Sequence, residues 1–172
     1  MTVMKTLAAL LFLICSSVAF AQLSDFDITA EGKLLGQNVS SKTDKRETAQ
    51  EWAYDVTMAN KTLKDYPNLK IKYIVFVKEV KEGSKTGESS ISRNPGETTG
   101  AIQPHAKFNF QTNKVSLSKT QLKGDWTYAN GARPRSADSL AGIWIRVYDG
   151  DKQVGEYINP PTLTSKAHWD AK

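Results

Sequence analysis

The sequence has a single cysteine, Cys15, and only two histidines, His105 and His168. One thiol cannot form a disulfide within the chain, so the hydrophobic core alone must hold the fold together. Two histidines that lie far apart in sequence, without further cysteines, are a poor ligand set for zinc. The sequence therefore predicts a disulfide-free protein with no metal site and no cofactor.

Catalytic signatures are missing as well. No Gly-x-Ser-x-Gly nucleophile elbow occurs in the sequence. His105 follows Pro104 in a polar stretch, and His168 lies close to the C-terminus, so neither histidine has a structured setting. We therefore predict that the protein is not an enzyme and has no catalytic residues, with a small secreted hydrolase as a less favoured alternative.

Carboxylates near residue 150 raise the question of calcium. Asp149, Asp151 and Glu156 could supply the oxygen ligands that this ion prefers. However, Asp-Gly between two alternating segments is typical of a hairpin turn, and the longer spacing of a calcium loop is absent. The hairpin interpretation is favoured.

No apolar run is long enough to span a bilayer, which takes about 20 residues. The apolar residues 7–14 follow Lys5 and lead to Ala19-Phe20-Ala21, which together are the parts of a cleavable secretory signal. We predict that residues 1–21 are removed and that residues 22–172 are exported to the periplasm, the outer surface or the medium. No transmembrane segment is expected after cleavage. Lipidation at Cys15 is less favoured, because the residue before a lipidated cysteine is normally small.

The charge balance gives no sign of a polyanionic partner. The formal net charge is +5, and the basic residues are scattered rather than gathered in one stretch. A small charge on a surface of mixed sign favours solubility. No nucleic-acid partner is predicted.

A period of two residues dominates the chain, and no amphipathic helical pattern stands out. Strands are predicted at 26–30, 52–58, 69–80, 108–117 with a break near 113–114, 143–148 and 154–158, the last two joined by a turn at 149–152. Residues 37–50, 82–104 and 119–139 are predicted as connections, the second with a short edge strand near Ser90 or Ile91. The expectation is a single all-β domain of about seven strands, folded as two antiparallel sheets with little or no helix.

Two segments, 52–60 (WAYDVTMAN) and 69–77 (LKIKYIVFV), resemble the B and C strands of bacterial immunoglobulin-like modules. The segments 140–149 (LAGIWIRVYD) and 152–157 (KQVGEY) resemble their F and G strands. The resemblance implies an immunoglobulin-like β-sandwich over residues 22–172, without the cysteine pair of antibody domains. Such folds serve adhesins, fimbrial subunits, carbohydrate-binding modules and spacers, so the fold alone does not choose a function.

Strand alternation predicts one candidate binding patch. If Ile143, Ile145 and Val147 face the core, their neighbours on the same strand face outward. With the outward residues of segment 69–77 and one from the last strand, the patch contains Ile74, Phe76, Trp144, Arg146, Tyr148 and Tyr157. An exposed apolar patch of this kind is typical of a binding or self-association surface. The alternative is that other parts of the chain cover it.

A second candidate site lies in the connection 119–139. Trp126, Tyr128, Arg133 and Arg135 combine aromatic faces with guanidinium groups, which suit a sugar or an acidic ligand. Ordinary anchoring of the loop on the end of the sandwich is the favoured interpretation. The leading functional prediction is a secreted, non-catalytic module that binds a surface protein or a glycan in adhesion. A structural or accessory subunit of a pilus-like appendage is the second prediction, and self-association into a homo-oligomer stays open.

Overall fold

The computed structural model of the protein describes residues 24–165 and 167–170, and the predicted signal peptide lies outside this part. The structure there is almost entirely β, which confirms the predicted class. Its elements are β1 (Phe26–Ser41), β2 (Lys45–Asn60), β3 (Tyr66–Val80), β4 (Ser89–Ile102), β5 (Lys107–Gln111), β6 (Val115–Leu122), β7 (Arg135–Ala137), β8 (Ser139–Asp149), β9 (Lys152–Asn159) and a 3-10 helix (Pro161–Ser165).

The strands form two antiparallel sheets that face each other. Sheet A has the order β1-β2-β6-β7, with β5 pairing with β2 beyond the end of β6. Sheet B has the order β4-β3-β8-β9. Strands β3 and β8 are neighbours, with Ile74 opposite Trp144, as the predicted patch on this sheet assumed.

The core between the sheets follows the predicted alternation. Phe26, Ile28 and Ala30 of β1 are buried, and so are Tyr54, Val56 and Met58 of β2. From sheet B the core receives Leu69, Ile71, Tyr73, Val75 and Val77 of β3 and Ile143, Ile145 and Val147 of β8. The side chains that were predicted to face inward on these strands therefore do so.

Two of the predicted connections are strands instead. Residues 37–50 form the distal half of the β1–β2 hairpin, in which Gln37 pairs with Gln50 and Ser41 with Arg46. The short edge strand predicted near Ser90 or Ile91 is confirmed, but it is part of the longer strand β4, which takes up most of residues 82–104 and pairs with β3 along its length. The interpretation as loops was wrong because backbone pairing with an adjacent strand stabilises these segments, although their side chains are polar and largely exposed.

The predicted break near 113–114 and the predicted turn at 149–152 are confirmed, whereas the connection 119–139 is only partly so. The parity break near 113–114 is the gap between β5 and β6, and the turn at 149–152 joins β8 to β9 with Gly150 at a φ of 60°. The connection predicted at 119–139 is shorter, because β6 continues to Leu122 and β7 begins at Arg135.

Among the described residues, no helix has the length and apolar character needed to cross a membrane.

Candidate functional site

Three connections meet at one end of the sandwich, which we call the loop end: residues 42–44, 81–88 and 123–134. The backbone N–H of Lys123 donates to the carbonyl of Asp44 over 2.9 Å, and the Lys123 ammonium donates to the carbonyl of Lys42. Lys45 contacts the carboxylate of Glu82 at 3.6 Å. These contacts hold the three connections together.

Tyr128 fixes the long connection on its neighbour. Its hydroxyl donates to a carboxylate oxygen of Glu82 over 2.9 Å, and its ring lies beside Gly83, where a Cβ would be 3.5 Å from the ring. The amide of Asn130 donates to the carbonyl of Gly83 over 2.8 Å. Partial burial, and then the hydrogen bond to Glu82, raises the pKa of the Tyr128 phenol. Tyr128 therefore anchors the loop, as the favoured sequence interpretation expected.

Trp126, unlike Tyr128, does not anchor the loop, because its side chain lies mostly in solvent. Its side chain is 59% exposed, although its backbone N–H is fixed by a hydrogen bond to the carbonyl of Lys123. It borders an open groove of about 510 Å³ whose other lining residues are Thr43, Lys123, Gly124, Asp125 and Thr127. A large, mostly exposed indole thus lies in a groove whose other lining residues are glycine and polar or charged residues.

The two arginines of the candidate loop stand apart from this groove. Arg133 is exposed, and Arg135 is an exposed residue at the start of β7, opposite Gln121 of β6. Neither guanidinium is among the side chains that line the groove beside Trp126. Of the four predicted residues, Trp126 lies at a groove, Tyr128 packs against Glu82 and Gly83 of the neighbouring connection, and the two arginines lie on the open surface.

The predicted patch on sheet B has the expected side-chain direction but not the expected exposure. Ile74, Phe76 and Trp144 point away from the inner core, yet they are 5%, 0% and 7% exposed. The prediction of an exposed patch was therefore wrong for these residues. The cover is the segment after β9, whose Leu163 and Ala167 are buried against them, rather than either long connection.

The remaining patch residues divide between the two faces. Arg146 is partly buried, donates from Nε to Glu156 over 2.8 Å and stacks over Trp144 at 5.2 Å from the ring centroid. Tyr148 is partly exposed, with the Lys72 ammonium 5.8 Å from its ring centroid. Tyr157 was wrongly assigned to the patch, because it pairs with Ile145 and packs against the inner core.

In the part of the chain that the structure describes, the histidines and carboxylates do not come together as a catalytic or metal-binding set. His105 and His168 are exposed, and no hydrogen bond there involves either imidazole. Asp149 contacts the Lys64 ammonium at 2.6 Å, and Glu156 accepts hydrogen bonds from Trp144 and Arg146. No group of three or more histidine, cysteine or acidic residues is placed to hold a metal within residues 24–165 and 167–170.

The sequence analysis did not predict that Leu163, Ala167 and Trp169 pack on the outer face of sheet B. Their spacing resembles neither a strand nor a long helix, and Pro160-Pro161 marks the end of the last predicted strand. The only sequence signal was the unusual presence of a tryptophan in a polar tail.

Comparisons with known proteins give no family. No family model and no curated protein matches the chain. Among solved structures, a structural-genomics target is 11% identical, covering 86% of this chain and 97% of its own, with a TM-score of 0.35. The curli protein CsgC of E. coli is 15% identical (77% and 100% covered, TM-score 0.27), and a Bordetella pertussis protein designated ApaA is 9% identical (78% and 94% covered, TM-score 0.33). At these TM-scores the likenesses support neither a family nor a function.

Proposed function

We propose that this protein is exported and acts as a non-catalytic binding module whose ligand site is the loop end, in the groove beside Trp126. The observation that carries the proposal is that Trp126 stays exposed on a loop that is otherwise fixed. Large, rigid aromatic side chains provide contact area at a low cost in conformational entropy. They are also enriched among the residues that dominate binding energy.

The lining of the groove favours a glycan as the ligand. The residues that line the groove combine one aromatic residue, Trp126, with polar and charged ones, namely Thr43, Thr127, Lys123 and Asp125. Binding sites commonly pair an apolar surface with a few polar groups that fix the orientation of the ligand. A sugar ring offers both a C–H face for the indole and hydroxyl groups for the polar side chains. A surface protein is the alternative ligand.

The test is a glycan array and a surface-protein binding screen with residues 22–172 and two variants. Replacing Trp126 by alanine should weaken ligand binding about thirtyfold or more, since truncating a central tryptophan typically costs roughly 2 kcal/mol or more. Leu63→Ala is the matched control, because Leu63 is 83% exposed in the turn between β2 and β3 at the opposite end of the sandwich. A ligand that binds both variants equally well would place the site elsewhere.

Export rests on the signal features of residues 1–21. N-terminal sequencing of the protein recovered outside the cytoplasm should begin at Gln22 or within a residue or two of it, because Ala19-Phe20-Ala21 is the cleavage pattern. A chain that begins at an acylated Cys15 would show that the protein is a lipoprotein. A chain that retains Met1 would contradict cleavage altogether.

A further inference from the structure

The outer face of sheet B, formed by Ile74, Phe76 and Trp144, is covered by residues 160–165 and 167–170, which we call the C-terminal segment. The segment begins with the 3-10 helix Pro161–Ser165 and places Leu163 and Ala167 against the face. Ile158 and Ala141 complete the cluster at its margin. Phe76 is fully buried here, although it lies on the side of the sheet that faces away from the inner core.

Trp169 makes the most specific contacts of the segment. Its ring meets that of Trp144 edge-on, with centroids 5.6 Å apart at an interplanar angle of 70°. The Arg146 guanidinium carbon is 4.5 Å from the centroid of the Trp169 ring, and Arg93 Nη2 donates to the carbonyl of Trp169 over 2.5 Å. Edge-to-face stacking and a cation over an indole each add to the energy of simple apolar burial.

The C-terminal segment follows β9 directly but does not continue its strand. Its backbone hydrogen bonds in the described residues are internal, from Leu163 N–H to the carbonyl of Pro160 and from Ala167 N–H to that of Leu163. Side chains, rather than a shared β-ladder, therefore hold it on the sheet. The other guanidinium nitrogen of Arg93, Nη1, is buried without a hydrogen-bond partner in the described part of the chain.

We propose that the outer face of sheet B is a peptide-binding surface and that its occupant in trans is the C-terminal segment of a second copy of this chain. Each chain carries both the surface and the segment that fits it, so reciprocal exchange closes a two-fold dimer with the same contacts. The chain's own segment follows β9 directly, so its binding is intramolecular and is favoured in dilute solution over binding of the segment of a second chain. The monomer with its own segment bound therefore dominates in dilute solution, and exchange occurs where chains are crowded.

The first experiment deletes Pro160 and Pro161 in the full chain. Pro160 and Pro161 are the first two residues of the segment and join Leu163 to β9. Without them, Leu163, Ala167 and Trp169 should be unable to reach their own face but free to reach that of a neighbour. We expect light scattering to show a dimer for this variant at micromolar concentration, where the wild-type chain is a monomer. Adding Leu163→Ala and Trp169→Ala should return the deletion variant to a monomer. A deletion variant that stays monomeric, or that forms no species of defined mass, would overturn the proposal.

The second experiment measures the surface directly. A labelled synthetic peptide of residues 160–172 is titrated into the full-length variant Leu163→Ala/Trp169→Ala, in which the face is intact but its own segment is weakened. Fluorescence anisotropy should show binding at least tenfold tighter than to the wild-type chain, whose own segment competes. A peptide carrying the same two alanines is the control and should bind at least tenfold more weakly. Equal binding of both peptides, or none, contradicts the assignment of the surface.

Discussion

Gly96 of β4 lies directly beneath the ring of Tyr73, its partner across the ladder with β3. A Cβ at residue 96 would overlap the Cζ atom of that ring. The ring has little freedom to move, because Tyr73 is buried and its hydroxyl accepts a hydrogen bond from the backbone N–H of Asn113 over 2.9 Å. The absence of a side chain at residue 96 is therefore a packing requirement of the sandwich edge.

Gly96→Ala should destabilise the fold by about 1–3 kcal/mol, the usual cost of forcing extra volume into a well-packed site. The displaced ring would also weaken the hydrogen bond between Tyr73 and Asn113. Urea unfolding followed by circular dichroism measures the change. Glu97→Ala is the control on the same strand, and since Glu97 is exposed its effect should stay within about 0.5 kcal/mol. Equal stability of the two variants would show that the ring moves aside at little cost.

The same strand explains what sequence patterns can and cannot predict. Strand β3 was predicted because its inward side chains are large and apolar. Strand β4 was interpreted as a connection because it contains few aliphatic residues, and its partial burial comes from pairing with β3. Hydrophobic periodicity reports which side chains leave water, whereas an edge strand is stabilised mainly by backbone hydrogen bonds that leave no such pattern.

The candidate sites illustrate a similar limit. Alternation correctly predicted the direction of Trp144 and Phe76, because direction is a local property of a strand. Exposure depends on every other part of the chain, and Leu163 and Trp169 cover this face from a segment without strand or helix periodicity. At the loop end, composition identified Trp126 and Tyr128 together. Their different roles are visible only in the structure, where Tyr128 anchors the loop through its hydrogen bond to Glu82 and Trp126 has an exposed indole.

Stability should decline at alkaline pH through three tyrosines. Burial raises the pKa of Tyr54, Tyr66 and Tyr128, and the latter two phenols are shifted further by hydrogen bonds to Asp25 and Glu82. Below about pH 10, the usual pKa of tyrosine, these phenols are protonated in both the folded and unfolded states, so they do not change stability with pH. Above it the unfolded chain loses these protons first, which favours unfolding.

Two measurements check this pH dependence. Absorbance at 295 nm should show phenols that ionise above the usual range, from Tyr54, Tyr66 and Tyr128, while circular dichroism still reports folded protein. The free energy of unfolding in urea should be lower near pH 11 than near pH 9. Tyr66→Phe should remove one late-titrating group from the absorbance curve. Ionisation of all six phenols near pH 10 in the folded protein would contradict the shifts.

The last prediction separates the anchoring of the loop from the presentation of Trp126. Tyr128→Phe keeps the ring beside Gly83 but removes the hydrogen bond to Glu82, so we expect a small loss of global stability, about 0.5–1.5 kcal/mol or less. The larger effect should be local. Hydrogen exchange at the backbone N–H groups of Gly131 and Ala132 should accelerate, because they bond to the carbonyl of Tyr128 and to the side chain of Asn130.

If the fixed loop is what presents Trp126, Tyr128→Phe should also weaken ligand binding at the loop end, although the indole itself is unchanged. Tyr148→Phe is the matched control, because Tyr148 lies on β8 of sheet B and its hydroxyl makes no hydrogen bond in the described part of the chain. Its exchange rates and binding should equal those of the wild-type chain. Faster exchange in Tyr128→Phe without any loss of affinity would mean that Trp126 binds from a mobile loop. Unchanged exchange would mean that the backbone hydrogen bond of Lys123 and the side-chain hydrogen bonds of Asn130 suffice to hold the loop.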